Sequence, residues 1–190
     1  LSTLEIQQHL QDICEKENIQ ASSEALYFVA KKADGGMRDS LSLLDQVIAF
    51  CGTEITPENV SKALGIIGQE SLFAMANAII SKDASAVLKA VHEAIEKGYE
   101  LDEFIMGIIE HFRHLLVVKY DPENTTVPPH YLANFNSQAQ HFSISILLSF
   151  ISLLVKTRME LKVSNHPILL LEVTLLSFLE LGRLGNITEQ

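Results

Sequence analysis

Apolar residues recur every three or four positions along most of the chain, which is the spacing of one face of an α-helix. Near the N-terminus, Ile6, Leu10, Ile13 and Cys14 share such a face, and the preceding Ser2-Thr3-Leu4-Glu5 has the form of a capping box. No run of alternating apolar and polar residues with turn chemistry stands out. The pattern therefore predicts an all-α fold.

Glycine and proline divide this pattern into separate helices. Asp34-Gly35-Gly36 ends a second helix, which Ser22 or Ser23 caps, and a third helix over 37–51 ends at Gly52. Thr56-Pro57 begins a short fourth helix. A loop is predicted over 121–129. The remaining helices are predicted at roughly 69–81, 84–97, 101–119, 130–140, 143–164 and 167–183.

Gly65 and Gly68 mark the predicted domain boundary, because glycine lets the chain change direction at low cost. We expect a small helical domain over 1–65 and a larger one over 66–190. In the larger domain, residues 144–155 are apolar around most of the helix circumference. Two interpretations stay open for this helix. Part of its surface faces another subunit, or it is the central helix of a tight core.

The composition narrows the class of protein. The chain has 190 residues, of which 47% are hydrophobic, and a net charge of −10. This hydrophobic content excludes intrinsic disorder. The acidic charge argues against a free-standing nucleic-acid binder, because binding to phosphates requires clustered Lys and Arg. The two cysteines, Cys14 and Cys51, are expected to be free buried thiols rather than a disulfide or metal site.

The chain has no signal peptide and no apolar run long enough to span a membrane, which predicts a soluble, cytoplasmic protein. It begins with Leu1 rather than Met, so we expect it to be a segment of a longer polypeptide.

The sharpest local motif is Gly35-Gly36-Met37-Arg38-Asp39-Ser40-Leu41-Ser42-Leu43-Leu44-Asp45-Gln46. Arg38 falls in the first turn of the third helix, where the backbone N–H groups and the helix dipole favour an anion. A guanidinium there adds a fork of donors that fits phosphate oxygens. One interpretation is therefore a phosphate sensor. The alternative is a solvated arginine paired with Asp39 or Asp34.

This motif resembles the sensor-2 segment of bacterial clamp-loader ATPases, and more specifically that of the gamma/tau family of DNA polymerase III. The neighbouring segments agree in order with that family. They are Cys14-Glu15-Lys16-Glu17-Asn18-Ile19 and Ala25-Leu26 before the motif, and Ile55-Thr56-Pro57-Glu58-Asn59-Val60 and Leu169-Leu170-Leu171-Glu172-Val173-Thr174 after it. The resemblance implies that 1–65 is an AAA+ lid with sensor-2 helix 37–51. It also implies that 66–190 is the collar that holds clamp-loader subunits in a ring.

By the same resemblance, Arg38 contacts the γ-phosphate of ATP, with Gly36 and Met37 beside it. The ATP and its Mg²⁺ would be held by an ATPase domain outside this sequence, because the sequence contains no Gly-Lys-Ser/Thr phosphate loop. The segment alone should therefore neither bind ATP tightly nor hydrolyse it, and it contains no catalytic or metal-binding residues. Asp39 is expected to cap or brace the helix start, and Asp45 and Gln46 to brace the lid.

The family function implied is ATP-dependent loading of the sliding clamp onto primed DNA, as part of the DNA polymerase III holoenzyme, a nucleotidyltransferase. The implied partners are other clamp-loader subunits through the collar, the ATPase domain, and the clamp and DNA through the complete complex. Two alternatives stay open. The chain is a non-enzymatic helical adaptor that self-associates, or it is the lid of a different AAA+ machine.

Weaker candidates lie in the second domain. His111 and His114 have a spacing compatible with metal binding, but a solvated or half-buried pair is the favoured interpretation. Glu172 and Glu180 interrupt an apolar helix. They either pair across an interface with Lys156, Arg158 or Lys162, or form one exposed edge.

Overall fold

The chain folds into two compact helical units, and the division falls between Gly68 and Gln69. The computed structural model describes residues 1–121, 127 and 131–184. The predicted all-α class is confirmed, since the described residues contain ten helices and only two very short strands. The predicted loop over 121–129 lies largely outside the described residues.

The first unit, which we call the lid, packs four helices around one apolar core. Its core contains Ile6, Leu10, Leu26, Val29 and Leu44, together with other buried residues of the same helices and of the segment that follows them. The elements are α1 (Thr3–Lys16), β1 (Gln20–Ala21), α2 (Ser23–Lys32), α3 (Met37–Cys51), β2 (Glu54–Ile55) and α4 (Pro57–Leu64).

Side chains at the helix starts explain where the lid helices begin. The capping box at α1 is present. The Ser2 hydroxyl accepts from the Glu5 N–H at 3.2 Å, and the Ser2 N–H donates to the Glu5 carboxylate at 2.8 Å. Ser22 rather than Ser23 caps α2, and Thr56 caps α4 ahead of Pro57.

A two-stranded parallel sheet in the lid was not predicted. Gln20 pairs with Glu54, and Ala21 pairs with Ile55. Each strand has two residues, which is too short to show the alternation that identifies a strand in a sequence. The sheet ties the segment after α1 to the segment after α3.

The second unit, which we call the collar, begins at Gln69 and has an aromatic core. Phe112 packs edge-on against Phe142, Phe150 and Phe178, and the rings of Phe150 and Phe178 stack at 4.0 Å. Its elements are α5 (Gln69–Ile80), α6 (Ala84–Glu96), α7 (Leu101–Tyr120), α8 (Leu132–Ala139), α9 (Ile144–Leu161) and α10 (Pro167–Leu184).

Helix α9 is buried along one face only. Leu147, Phe150 and Leu154 are inside, whereas Val155 and Met159 are 45% and 71% exposed. A central core helix would be buried around most of its circumference, so that interpretation is wrong for α9. The other apolar residues, which make this segment apolar around most of the helix circumference, lie at the surface.

Polar links between collar helices differ from those predicted. Arg158 forms two hydrogen bonds to the Asp102 carboxylate, at 2.8 and 2.7 Å, which join α9 to α7. Glu172 pairs with His92 at 3.0 Å rather than with Lys156, Arg158 or Lys162. The basic partner of Glu172 is thus a histidine on α6.

The cysteines are free, as expected, but they differ in burial. Cys14 is fully buried, whereas Cys51 is half-buried and its thiol donates to the Val47 carbonyl at 3.1 Å. In the part of the chain that the structure describes, no single helix has the length and apolar character needed to cross a membrane.

Candidate functional site

The start of α3 is set by a tight turn after α2. Asp34 and Gly35 have φ angles of 46° and 85°, in the left-handed region that glycine adopts readily. Gly36 then occupies the N-cap position in an extended conformation, and no side chain caps the helix. The first-turn N–H groups of α3 are therefore without the side-chain acceptor that caps α1, α2 and α4.

Arg38 is the second residue of α3 and its side chain is exposed. Within the described residues, its guanidinium has no hydrogen bond or ion pair, and neither Asp34 nor Asp39 pairs with it. The pairing with Asp39 or Asp34 is therefore not present, although the arginine is solvated, as that alternative expects. A cation at this end of a helix opposes the helix dipole. An anionic partner would therefore neutralise the charge and accept hydrogen bonds from the unused N–H donors.

Asp39 and Gly36 share a small volume at the helix start. A Cβ atom placed on Gly36 would lie 2.5 Å from Asp39 Oδ2 and 3.2 Å from the Ala33 carbonyl oxygen. A side chain at position 36 would thus be crowded unless the exposed Asp39 side chain moved aside, whereas the φ angle of −85° does not require glycine. The Asp39 carboxylate lies beside Gly36 at the positive end of the helix without capping it by a hydrogen bond, and its bracing role stays a prediction.

Met37 faces inward beside this turn. It is half-buried against the lid core, and the Ser40 hydroxyl donates to its carbonyl at 2.7 Å. Met37 therefore anchors the first turn of α3, and a contact of Met37 or Gly36 with nucleotide stays a prediction.

The end of the motif braces the lid through one residue. The Gln46 amide donates to the Ala63 carbonyl of α4 at 3.0 Å. Asp45 is exposed and makes no hydrogen bond or ion pair within the described part of the chain, so it does not share the bracing role.

The predicted solvated or half-buried state of His111 and His114 is wrong, since both side chains are buried, at 2% and 6% exposure. His111 Nε2 lies 2.8 Å from Gln138 Oε1, and His111 Nδ1 lies 2.9 Å from Gln69 Nε2. Among the described residues, no group of three potential metal ligands comes together.

The surrounding bonds fix the protonation of His111. Gln138 uses its amide nitrogen to donate to the Phe73 carbonyl at 2.9 Å and to Asn77 Oδ1 at 2.7 Å. Its oxygen must therefore accept from His111 Nε2–H, which leaves Nδ1 to accept from Gln69. Burial lowers the pKa of His111 to about 4, partly offset by the bond to Gln138. The imidazole is thus neutral at physiological pH.

This network was missed because its members lie far apart in the sequence, on α5, α7 and α8. The one available signal was Gln138, a polar residue on the face that Phe135 and Ala139 bury.

The comparisons with known families match both units. Residues 5–53 match the DNA polymerase III clamp loader subunit, ATPase lid domain. Residues 55–186 match DNA polymerase III subunits gamma and tau domain III, which is more than half of the chain. The chain belongs to the gamma and tau subunit family of DNA polymerase III.

Individual relatives agree with this gamma/tau assignment. DNA polymerase III subunit tau of Bacillus subtilis is 31% identical over 163 residues, covering 85% of this chain and 29% of the relative. DNA polymerase III subunit gamma/tau of Mycobacterium bovis is 27% identical over 169 residues, with coverages of 85% and 29%. The chain thus spans less than a third of the length of these relatives.

A solved structure shares the fold of this gamma/tau chain. It is the DNA clamp loader delta protein of Bacillus subtilis, with a TM-score of 0.50 and 21% sequence identity. The match covers 95% of this chain and 57% of that protein.

Replacing Gly36 by alanine should destabilise the lid of this gamma/tau chain by about 1 kcal/mol, because the new Cβ displaces the Asp39 carboxylate and crowds the Ala33 carbonyl. Denaturant unfolding of the chain measures the loss. Asp39→Ala in the Gly36→Ala background should recover part of it, since the carboxylate is then gone. Gly68→Ala is the control, because its Cβ meets no atom within 4 Å. Equal losses for Gly36→Ala and Gly68→Ala would contradict the steric explanation.

The collar should lose stability on acidification because of His111. Its pKa is lowered from 6.5 to about 4 in the folded state, so the unfolded chain takes up the proton first. The stabilising contribution is complete above pH 6.5, falls as the pH drops from 6.5 towards 4, and amounts to about 3 kcal/mol. Denaturant unfolding between pH 7.5 and 4 measures it. His111→Gln should flatten the profile, whereas replacing the exposed His141 by Gln should leave it unchanged.

Proposed function

We propose that this chain works as the nucleotide-sensing lid and the assembly collar of a complete gamma/tau clamp-loader subunit. In that subunit, Arg38 contacts the γ-phosphate of ATP, which an ATPase domain of the same polypeptide binds with Mg²⁺. The subunit loads the sliding clamp onto primed DNA by ATP-driven cycles within the DNA polymerase III complex. We further propose a location in the bacterial cytoplasm, because the two relatives described above are bacterial DNA polymerase III subunits.

The observation that carries the sensor proposal is the unpartnered Arg38 guanidinium at the uncapped start of α3. A terminal phosphate would accept charge-assisted hydrogen bonds from it. These bonds are available when the γ-phosphate is attached and are lost after it leaves, so the position of the lid would follow the nucleotide state.

The collar presents an apolar surface that supports its role in assembly. Leu148, Val155 and Met159 of α9 are exposed, as are Ile168, Leu169 and Val173 of α10, and we call these six residues the collar face. Exposed apolar side chains concentrated on two packed helices are typical of a protein–protein interface. We propose that other clamp-loader subunits cover the collar face in the ring.

A second candidate is a non-enzymatic adaptor that uses the same collar face to associate with itself. The collar face favours it as much as it favours ring assembly, but the adaptor gives no role to Arg38. The two functions therefore differ in whether Arg38 affects nucleotide-dependent activity.

Arg38→Ala in the complete subunit should lower ATP-dependent clamp loading about 10- to 100-fold, because a hydrogen bond to a charged group contributes roughly 1.5–3 kcal/mol. Loading rates with the clamp, primed DNA and ATP measure the effect. The melting temperature of the lid should stay unchanged, since the side chain is exposed and unpaired.

Lys62→Ala is the matched control, as it removes another exposed cation from the lid and should load normally. Arg38→Lys should recover only part of the activity, because a lysine lacks the planar fork. Wild-type loading by Arg38→Ala would defeat the sensor proposal and favour the adaptor.

Glutamate substitutions at Met159 and Val173 should weaken assembly with the other clamp-loader subunits about 10- to 100-fold, because each places a charge in an apolar interface. Both residues are more than half exposed, so folding should be retained. Sedimentation of the complete complex measures the loss. Phe50→Glu, at an exposed apolar residue of the lid, is the control and should assemble normally. Unchanged assembly of the double variant would show that the collar face is not the interface.

A further inference from the structure

Gln46 lies on the same helix as Arg38, and its side chain leaves that helix. The two residues are eight positions apart on α3, so they are separated by about 12 Å along the helix axis. The amide nitrogen of Gln46 donates to the Ala63 carbonyl of α4 at 3.0 Å. This bond connects the arginine-bearing helix to the last helix of the lid.

The acceptor is a carbonyl at a helix end. Ala63 lies in the last turn of α4, where its carbonyl would accept from the Ile67 N–H if the helix continued, but the helix ends at Leu64 and no such bond forms. The Ala63 carbonyl is therefore one of those that a helix C-terminus leaves without a backbone donor. Gln46 supplies the missing donor, at the point where the chain leaves the lid through Gly65 and Gly68.

The remaining contact between these helices is apolar. Leu44 and Val47 of α3 belong to the same core cluster as Val60 and Leu64 of α4. These apolar contacts hold the two helices together, but they have little directional preference of their own. The hydrogen bond from Gln46 has a preferred direction and fixes how the end of α4 follows α3.

We propose that Gln46 is a positioning residue that makes the exit helix α4 move together with α3 when Arg38 engages the nucleotide. The inference rests on the proposed function of Arg38 and adds the connection by which its movement leaves the lid. Without the bond, α3 still responds to the nucleotide, but α4 follows it less faithfully. Nucleotide binding would then be converted less completely into movement of α4.

Gln46→Ala in the complete subunit should lower the rate of ATP-dependent clamp loading about fivefold, a typical size for a coupling between two sites. ATP affinity should change less than twofold, because Gln46 is not near Arg38. The melting temperature should stay close to that of the wild type, since water can replace the donor at an exposed residue. Gln46→Lys should recover loading, because the ammonium group can donate to the same carbonyl.

Gln8→Ala is the matched control. Gln8 is an exposed lid glutamine whose amide bonds only within its own helix, to Asp12 at 3.3 Å, so its loss should leave loading unchanged. Wild-type loading by Gln46→Ala would overturn the inference, and so would a loss of ATP affinity that matches the loss of loading. Failure of Gln46→Lys to recover loading would also overturn it.

Arg38→Ala, run in the same assays, separates the two proposals. A defective Arg38→Ala beside a normal Gln46→Ala defeats only the coupling role of Gln46. Normal loading by both variants defeats the sensor function as well.

Discussion

The geometry of the lid depends on how α3 is held in place. This helix carries the sequence motif, and only one of its sides packs against the rest of the lid. Leu44 and Val47 are buried in the core, Met37 anchors the first turn, and Gln46 bonds to α4. The opposite side, which includes Arg38, is left to solvent. A rigidly held helix fixes the backbone from which that cation binds, whereas the exposed side chain itself is ordered only when an anion arrives. The apolar core thus fixes the position of α3, and the exposed side of the helix carries the group that can bind an anion.

The collar is stabilised differently. Its core contains stacked and edge-on phenylalanine rings, and it also buries a neutral histidine whose two ring nitrogens are both hydrogen bonded. A buried polar group is tolerated only when its bonds are complete, and the partners of His111 come from two other helices. The network therefore requires α5, α7 and α8 to be placed together. It specifies one arrangement of these helices more strictly than the aromatic packing alone would do.

The helices and the lid motif could be predicted from sequence because they depend on local chemistry. Ser2 and Thr56 cap helices through bonds to residues three positions away, and Gly35 adopts a φ angle that few other residues tolerate. The burial of His111 could not be predicted, since it depends on Gln69 and Gln138, which are 42 and 27 residues away. The same limit applies to α9. Its apolar residues are evident in the sequence, but which of them face a partner depends on tertiary packing.

Because Gly36 and Asp39 share one small volume, the substitutions that are tolerated at these two positions depend on each other. A side chain at position 36 fits the present backbone more easily if residue 39 is smaller or points elsewhere, although the close approach to the Ala33 carbonyl would remain. A single substitution at position 36 passes through a crowded intermediate, whereas prior loss of the carboxylate at 39 opens the way for it. The cost of changing residue 36 therefore depends on which residue occupies position 39.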